Sequence, residues 1–289
     1  MRVFVTGATG FVGSAVVAEL LGAGHQVLGL ARSETGARAL AAAGAEVHRG
    51  SLEDLGSLRR GAAAVDGVIH TAFIHDFSNF AASVRTDQLA IEAMTETLAG
   101  SEKPFVVTSG CLGLRTEEDS PSAAIPRKSE EAGLAAATRG VRALVIRLAP
   151  SVHGDGDHGF VPALIRFARE KRFAIYVGEG KNLWPAVHRR DAAKLYRLAL
   201  ESGTSGAKFH GVADEGIPVR EIAELIGRRL GVPAVSKTPA EAAALLGFIG
   251  HALALGVRSS NTLTRERLGW QPMEPGLLQD LEQGRYFES

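Results

Sequence analysis

Three glycines, Gly7, Gly10 and Gly13, stand three residues apart in "VFVTGATGFVGS", between an apolar run and a helical one. That pattern suits phosphate binding. The first glycine allows a tight turn, the second lets backbone N–H groups approach a pyrophosphate, and the third lets helix and strand pack closely. Thr9, Phe11 and Val12 share the loop, and the helix N-terminus behind it lends partial positive charge. The next apolar run ends in Ala31-Arg32-Ser33, where a site for NAD usually places an acid on the ribose 2′-hydroxyl. An arginine beside a hydroxyl suits a 2′-phosphate instead, through charge-assisted hydrogen bonds. The expected cofactor is NADP. NAD stays open if Arg32 is merely a surface residue and Glu34 takes the ribose.

A second group of residues could handle protons. "VVTSGCL" (106–112) ends a strand in Ser109 and Cys111, the chain's one cysteine. Both can donate a hydrogen bond, but neither is an efficient acid without an activating partner, and a lone cysteine is more often a small buried residue. His75-Asp76 follows the fourth strand, and histidine titrates near physiological pH. His153 and His158 lie in "PSVHGDGDHGF" with Asp155 and Asp157, a flexible glycine spacing that matches no zinc site, so no metal is expected. His188 and Asp191 open a helix, Asp191 as a cap or first-turn acid. Trp184 is either a pocket wall or core. The candidate catalytic residues are Ser109, His75 and His153.

These residues need a frame, and the hydropathy pattern supplies one. Strands are predicted at 2–6, 26–31, 45–50, 67–72, 104–109 and 142–149, with helical spacing at 11–23, 34–43, 53–63, 80–100 and 129–139. Such alternation implies right-handed crossovers and an α/β fold, a doubly wound parallel sheet of Rossmann type with helices on both faces. Past about residue 150 the alternation fails. A helix near 160–171, a strand pair within 174–188, a helix from 190 and more helices after 218 read as a smaller C-terminal substrate-binding lobe (151–289), interleaved with the end of the sheet of the first domain (1–150).

Composition narrows the classes. Lys+Arg and Asp+Glu number 32 each, so no net charge draws the chain to nucleic acid or an acidic membrane. Arg189-Arg190 reads as a solvated helix start. The single cysteine excludes an internal disulfide and fits a reducing compartment. The first residues enter a strand with no charged leader. The most apolar run, 242–256, is shorter than the roughly 20 residues of a membrane span and reads as a buried or substrate-covering helix, with a membrane-surface segment as the alternative. A soluble, cytoplasmic protein is expected.

In the order "TGATGFVG", "RGSLEDLGSL", "VDGVIHTAF", "VVTSG", "RLAPSVHG", "WPAVHRRDAAKLYRLAL" and "TRERLGWQP", the chain resembles the short-chain dehydrogenase/reductase superfamily in its extended, epimerase/dehydratase-like branch. The resemblance implies a seven-stranded Rossmann sheet, a small-molecule substrate bound by the C-terminal lobe, and a homodimer built through two long helices. By matching position it places Ser51 and Leu52 near the adenine, and Thr71, Ala72 and Phe73 along the cofactor's ribose and phosphates, with Ser109 at the nicotinamide pocket.

One part of the family pattern is missing. Hydride delivered to a carbonyl leaves an alkoxide, which members protonate from a tyrosine whose pKa is lowered by a lysine four residues on. The tyrosines here are Tyr176, Tyr196 and Tyr286. The family's Tyr and Lys positions fall near Ser122 and Pro126, with Lys128 a candidate displaced lysine. The usual serine aligns with Gly110 or Cys111, and a common asparagine with Asp87. Three functions stay open: an NADP-dependent oxidoreductase with another proton source, acting on a small hydrophobic carbonyl, imine or enone; a cofactor-binding redox sensor without turnover; and an epimerase or lyase that oxidises transiently. Phe73, Phe77 and Trp184 hint at the hydrophobic substrate.

Overall fold

The computed structural model describes residues 1–76, 79–121 and 127–288. Phe77, Ser122 and Pro126 lie outside the described residues. The first half alternates as the hydropathy requires: β1 (Arg2–Thr6), α1 (Phe11–Gly22), β2 (Gln26–Ala31), α2 (Glu34–Ala42), β3 (Glu46–Arg49), α3 (Leu55–Ala63), β4 (Gly67–His70), α4 (Phe80–Thr97), β5 (Pro104–Gly110), α5 (Ser129–Leu134) and β6 (Arg142–Leu148). Then come β7 (Ser151–His153), α6 (Phe160–Lys171), β8 (Ala174–Val177), β9 (Leu183–His188), α7 (Arg189–Ser202), β10 (Lys208–Gly211) and β11 (Asp214–Pro218). The chain closes with α8 (Val219–Leu230), β12 (Ala234–Lys237), α9 (Pro239–Leu246), α10 (Phe248–Ala254), α11 (Thr262–Leu268) and α12 (Leu277–Gln283).

Seven strands form one sheet in the order β10-β6-β5-β4-β1-β2-β3, every pairing parallel. Helices cover both faces, so the central strands are apolar through their middles, with Val3, Phe4, Val5, Phe105, Val106 and Val107 all at 0% exposure, and turn polar toward their C-terminal ends at Thr6, His70 and Thr108. A strand in that position has no polar face to show. Strand order reverses between β1 and β4, and the crevice beyond their C-terminal ends is where such sheets bind ligands. β10 completes the sheet from well beyond residue 150. The smaller lobe packs Leu164, Ile165, Trp184, Ile222 and Leu281 around its own core.

Three local expectations change. β8 and β9 are not a pair: β8 joins β12, while β9 lies between β7 and β11. The apolar run 242–256 is two helices, because Gly247 turns at φ 57 and α10 folds back on α9. Gly250 lets them touch, since a Cβ there would lie 2.0 Å from the Ala242 carbonyl oxygen. The segment 129–139 is α-helical only to Leu134 and tightens into a 3-10 turn over Ala135–Arg139. Among the described residues no helix is long and apolar enough to cross a membrane.

Candidate active site

The glycine turn is built with no room for side chains. Gly7 has φ +67, and a Cβ on it would lie 2.7 Å from both the Ala72 nitrogen and Thr71 Oγ1. A Cβ on Gly13 would lie 2.0 Å from the Gly7 oxygen. The Gly10 N–H closes the turn on that same oxygen at 2.8 Å. α1 has no side-chain cap and no acid in its first turn, so its first N–H groups remain for an external acceptor. Thr9, Phe11 and Val12 flank that N-terminus, and Thr71 donates across to the Thr6 carbonyl at 2.8 Å. This cradle fits a dinucleotide's pyrophosphate.

At the end of β2 the two candidate ribose residues have different company. Glu34 binds Arg49 and lies 3.8 Å from Arg38. Arg32 is exposed and has no ion-pair partner among the described residues. Ser33 caps α2 by accepting the Gly36 N–H at 3.1 Å, which leaves its own proton to donate. Beyond β3, Ser51 is half-buried and Leu52 is buried at 9% exposure.

A polar relay runs beneath the sheet's C-terminal edge. Thr6 Oγ1 meets His70 Nδ1 at 2.7 Å, and His70 Nε2 meets Asp87 at 3.1 Å. Ser129 then donates to the other Asp87 oxygen. Burial pushes the Asp87 carboxyl up, but His70, Arg127 and Ser129 outweigh it and hold the group below the usual carboxylate range. The residue aligned with a family asparagine is thus a buried, ionised anchor for the start of α5.

That anchor aims Arg127. Its Nε donates to Ser129 at 2.7 Å and Nη2 to the Thr108 carbonyl at 3.1 Å, while the guanidinium carbon lies 4.2 Å from the Phe73 ring centre. Lys128, the displaced-lysine candidate, faces solvent on Glu131 at 3.2 Å. His75 sets its ring edge-on to Phe73 at 5.3 Å. Close packing lowers its pKa, and the charges of Arg127 and His158 push the same way. Ser109, half-buried at the end of β5, follows the carbonyl that Arg127 binds. Cys111 is fully buried against Ser259, and burial pushes its thiol up to about 12. It offers no proton to the cleft.

On the smaller lobe's side, Arg189 is not the solvated helix start its sequence suggested. It stacks 4.5 Å over Phe11 and donates to Ser14 at 2.8 Å and to the Asp155 carbonyl at 3.0 Å. His158 lies edge-on to Phe11 at 5.8 Å. Phe73 and Phe11 therefore each carry an arginine on the face and a histidine at the edge. His153 sits behind them, wholly buried, with Nδ1 2.8 Å from Asp280 and Nε2 without a partner among the described residues. Tyr286 also binds Asp280, at 3.1 Å, and accepts the Gly154 N–H at 2.9 Å. Burial raises the nearby Asp157 carboxyl to about 6.

His188 caps α7 by accepting the Arg190 N–H at 3.3 Å. Asp191, in the first turn of that helix, spends its carboxylate on the N–H groups of Met273 and Glu274. Trp184 is 1% exposed and donates to Ser151 at 2.7 Å, a core position in the smaller lobe. Among the described residues no group of His, Cys, Asp and Glu could hold a metal ion.

Sequence reasoning gave no site role to Arg127, Arg189, Asp280 and Tyr286. Arg127 had a signal, one residue from where the family's lysine was counted. Asp280 and Tyr286 had none: they meet His153 and Gly154 across 127 and 132 residues.

A parallel sheet with a glycine turn at its crevice defines a Rossmann-type, dinucleotide-binding fold. Residues 3–99 match the NAD dependent epimerase/dehydratase family. An uncharacterized protein of Schizosaccharomyces pombe is 49% identical over 99% of this chain and 100% of its own. A 2-alkyl-3-oxoalkanoate reductase of Stenotrophomonas maltophilia is 30% identical over 95% of this chain and 92% of its own. Among solved structures, the dTDP-glucose 4,6-dehydratase DesIV from Streptomyces venezuelae, with NAD and TYD bound, has a TM-score of 0.79 at 19% identity, covering 99% of this chain and 97% of that one. The chain belongs to the NAD dependent epimerase/dehydratase family, within the short-chain dehydrogenase/reductase superfamily.

Proposed function

We propose that the protein is an NADP-dependent oxidoreductase acting on a small, hydrophobic carbonyl, imine or enone without a tyrosine acid. The observation that carries the cofactor choice is the contrast at β2, where Glu34 is held by Arg49 and Arg38 while Arg32 is left exposed beside the Ser33 hydroxyl. A 2′-phosphate is the ligand such a pair fits. Gly7, Gly10 and Gly13 with the N–H groups of Phe11 and Val12 would hold the pyrophosphate; Thr9, Ser51, Leu52, Thr71, Ala72 and Phe73 would line the rest. When bound, the nicotinamide would supply a hydride to the substrate. The named reductase among the relatives supports reduction as the direction. Residues 151–289 act as the substrate lobe. A cytoplasmic homodimer completes the proposal, and sedimentation of the purified protein checks the dimer.

A sensor without turnover is the second reading. It is favoured by the lack of any tyrosine before Tyr176. One experiment separates the two. NADPH oxidation is followed with a panel of aldehydes, ketones, imines and enones, and NADPH and NADH affinities are measured for Arg32→Ala. Turnover with at least one substrate, and a loss of about tenfold or more for NADPH with NADH little changed, is expected for a charge-assisted contact. Tight NADPH binding without turnover across the panel would favour the sensor. Equal losses for both cofactors would remove Arg32 from the 2′-phosphate.

A further inference from the structure

Adding a hydride to a carbonyl carbon forms a C–H bond and moves the C=O π pair onto oxygen, while the hydride donor is oxidised by two electrons. The alkoxide so formed needs a positive partner at once and a proton next. The family's usual tyrosine and lysine are absent here, so some other residue must meet that charge if reduction occurs.

Two arginines leave solvent near the end of the sheet, and they are satisfied differently. Arg147 is fully buried and grips Glu130 with two bonds, at 2.6 and 2.9 Å. Arg127 is half-buried and has no carboxylate in direct contact among the described residues. Its two hydrogen bonds among the described residues go to a hydroxyl and a carbonyl, and Nη1 donates to none of them. The Asp87 carboxylate, whose charge acts on Arg127, is bonded to His70 and Ser129 rather than to the guanidinium. Withdrawing a guanidinium from water with its counter-charge reached only through a hydroxyl is costly, and an anion arriving with the substrate would offset it. Position agrees with this. The Thr108 carbonyl that fixes Arg127 lies at the C-terminal end of β5, and Phe73 beneath the guanidinium follows β4, so the cation stands over the crevice side of the sheet.

We propose that Arg127 is the catalytic cation of this protein, donating from Nη1 to the substrate oxygen and holding the alkoxide in place of the missing tyrosine and lysine. A guanidinium stays protonated, so it stabilises the charge and does not supply the proton. That proton comes from water in the cleft or through His75, which shares the Phe73 ring with Arg127. Arg127 is held rigid for the task by Ser129 and Thr108, so little reorganisation is needed as charge develops.

The proposal rests on the oxidoreductase reading, and its test separates the two. Benzoate serves as an apolar oxyanion probe of the protein without cofactor, with its binding followed by titration and by the NMR titration of His75. Wild type should bind benzoate, with the His75 pKa rising on binding. Arg127→Gln should bind it at least about tenfold more weakly, the loss of one charge-assisted contact, and should itself raise the His75 pKa by removing a neighbouring positive charge. In single-turnover reduction, Arg127→Ala and Arg127→Lys should lose about 100-fold or more in rate, with NADPH affinity within about threefold of wild type. Added guanidinium ion should restore Arg127→Ala by about tenfold, which a merely structural arginine would not show. Unchanged benzoate binding in Arg127→Gln, or an unchanged single-turnover rate in both other variants, overturns the proposal and leaves the oxidoreductase reading standing. A wild type that reduces nothing, yet binds benzoate through Arg127, overturns the oxidoreductase reading and the catalytic role together, leaving only an anion site.

Discussion

The two ends of the crevice are made of different material. The phosphate end is backbone: Gly7, Gly10 and Gly13 clear space, and the uncapped first turn of α1 offers N–H groups. Away from that turn the crevice is side chains gathered from distant segments, with Arg127 and His75 on Phe73 and the Asp280–Tyr286 clamp on the Gly154 loop, while Arg189 and His158 reach back to Phe11 beside the turn itself. A backbone site has few ways to vary, because any added atom collides. A side-chain site can exchange one proton handler for another while the sheet stays the same. That difference explains how the glycine motif persists in a chain without the family's tyrosine.

Substitutions should therefore act in opposite ways at the two ends. The largest effect is expected from adding atoms to the backbone end. Gly13→Val would place a Cβ 2.0 Å from the Gly7 oxygen, and NADPH affinity should fall by about 100-fold or more as the turn is forced open. Fluorescence titration, with circular dichroism to confirm folding, checks it; tight binding by a folded variant would break the contrast.

Removing atoms should matter most at the other end. Asp280→Ala strips the buried His153 of its Nδ1 partner, a carboxylate itself 16% exposed, and should cost about 2 kcal/mol, the scale for leaving a buried polar group unsatisfied. Urea unfolding measures it. A cost below about 0.5 kcal/mol, typical of a surface change, would mean that the C-terminal segment merely rests on the Gly154 loop.

A comparable effect carries a sign. Asp157 has its carboxyl raised to about 6 from an ordinary 3.8, so the folded protein binds its proton more tightly than the unfolded chain does. The stability this lends is complete below the unfolded pKa and is lost as pH rises through about 6. Asp157→Asn removes the titration, so the variant should gain on wild type by about 2 kcal/mol between pH 4 and 7, after allowance for partial solvent access. Thermal melts across that range test it. A difference independent of pH would place the carboxyl in ordinary solvent.

The smallest effect is expected at Cys111. Its thiol is buried and pushed up to about 12, so native protein should not react with a thiol reagent, and Cys111→Ala should keep its NADPH affinity. Rapid labelling of the folded protein would return the cysteine to the cleft.

Much of this was legible in the chain. The five inner early strands and the glycine turn follow from apolar runs and spacing, because strands covered on both faces are mostly apolar and a tight turn admits no Cβ, while β3 is a half-exposed edge whose place followed from the alternation. The signal behind the proposed NADP preference is also local, three residues at the end of β2. What spacing left open was orientation. Arg127 and Lys128 are neighbouring cations, yet one points at Phe73 and the other at Glu131. Arg189 and Arg190 divide in the same way, one over Phe11 and one 74% exposed.

By itself the sequence determined a dinucleotide-type crevice, the strands and helices that frame it and the loss of the family's acid, since each is a matter of residue type and near-neighbour spacing. Only the tertiary structure decided which charged groups share that crevice. The Ser129–Asp87–His70 relay that aims Arg127 and the Asp280–Tyr286 clamp on the Gly154 loop join segments with no common periodicity. Contacts of that kind exist only once the sheet has brought its loops to one edge, because side-chain hydrogen bonds act over about 3 Å of space and carry no trace along the chain.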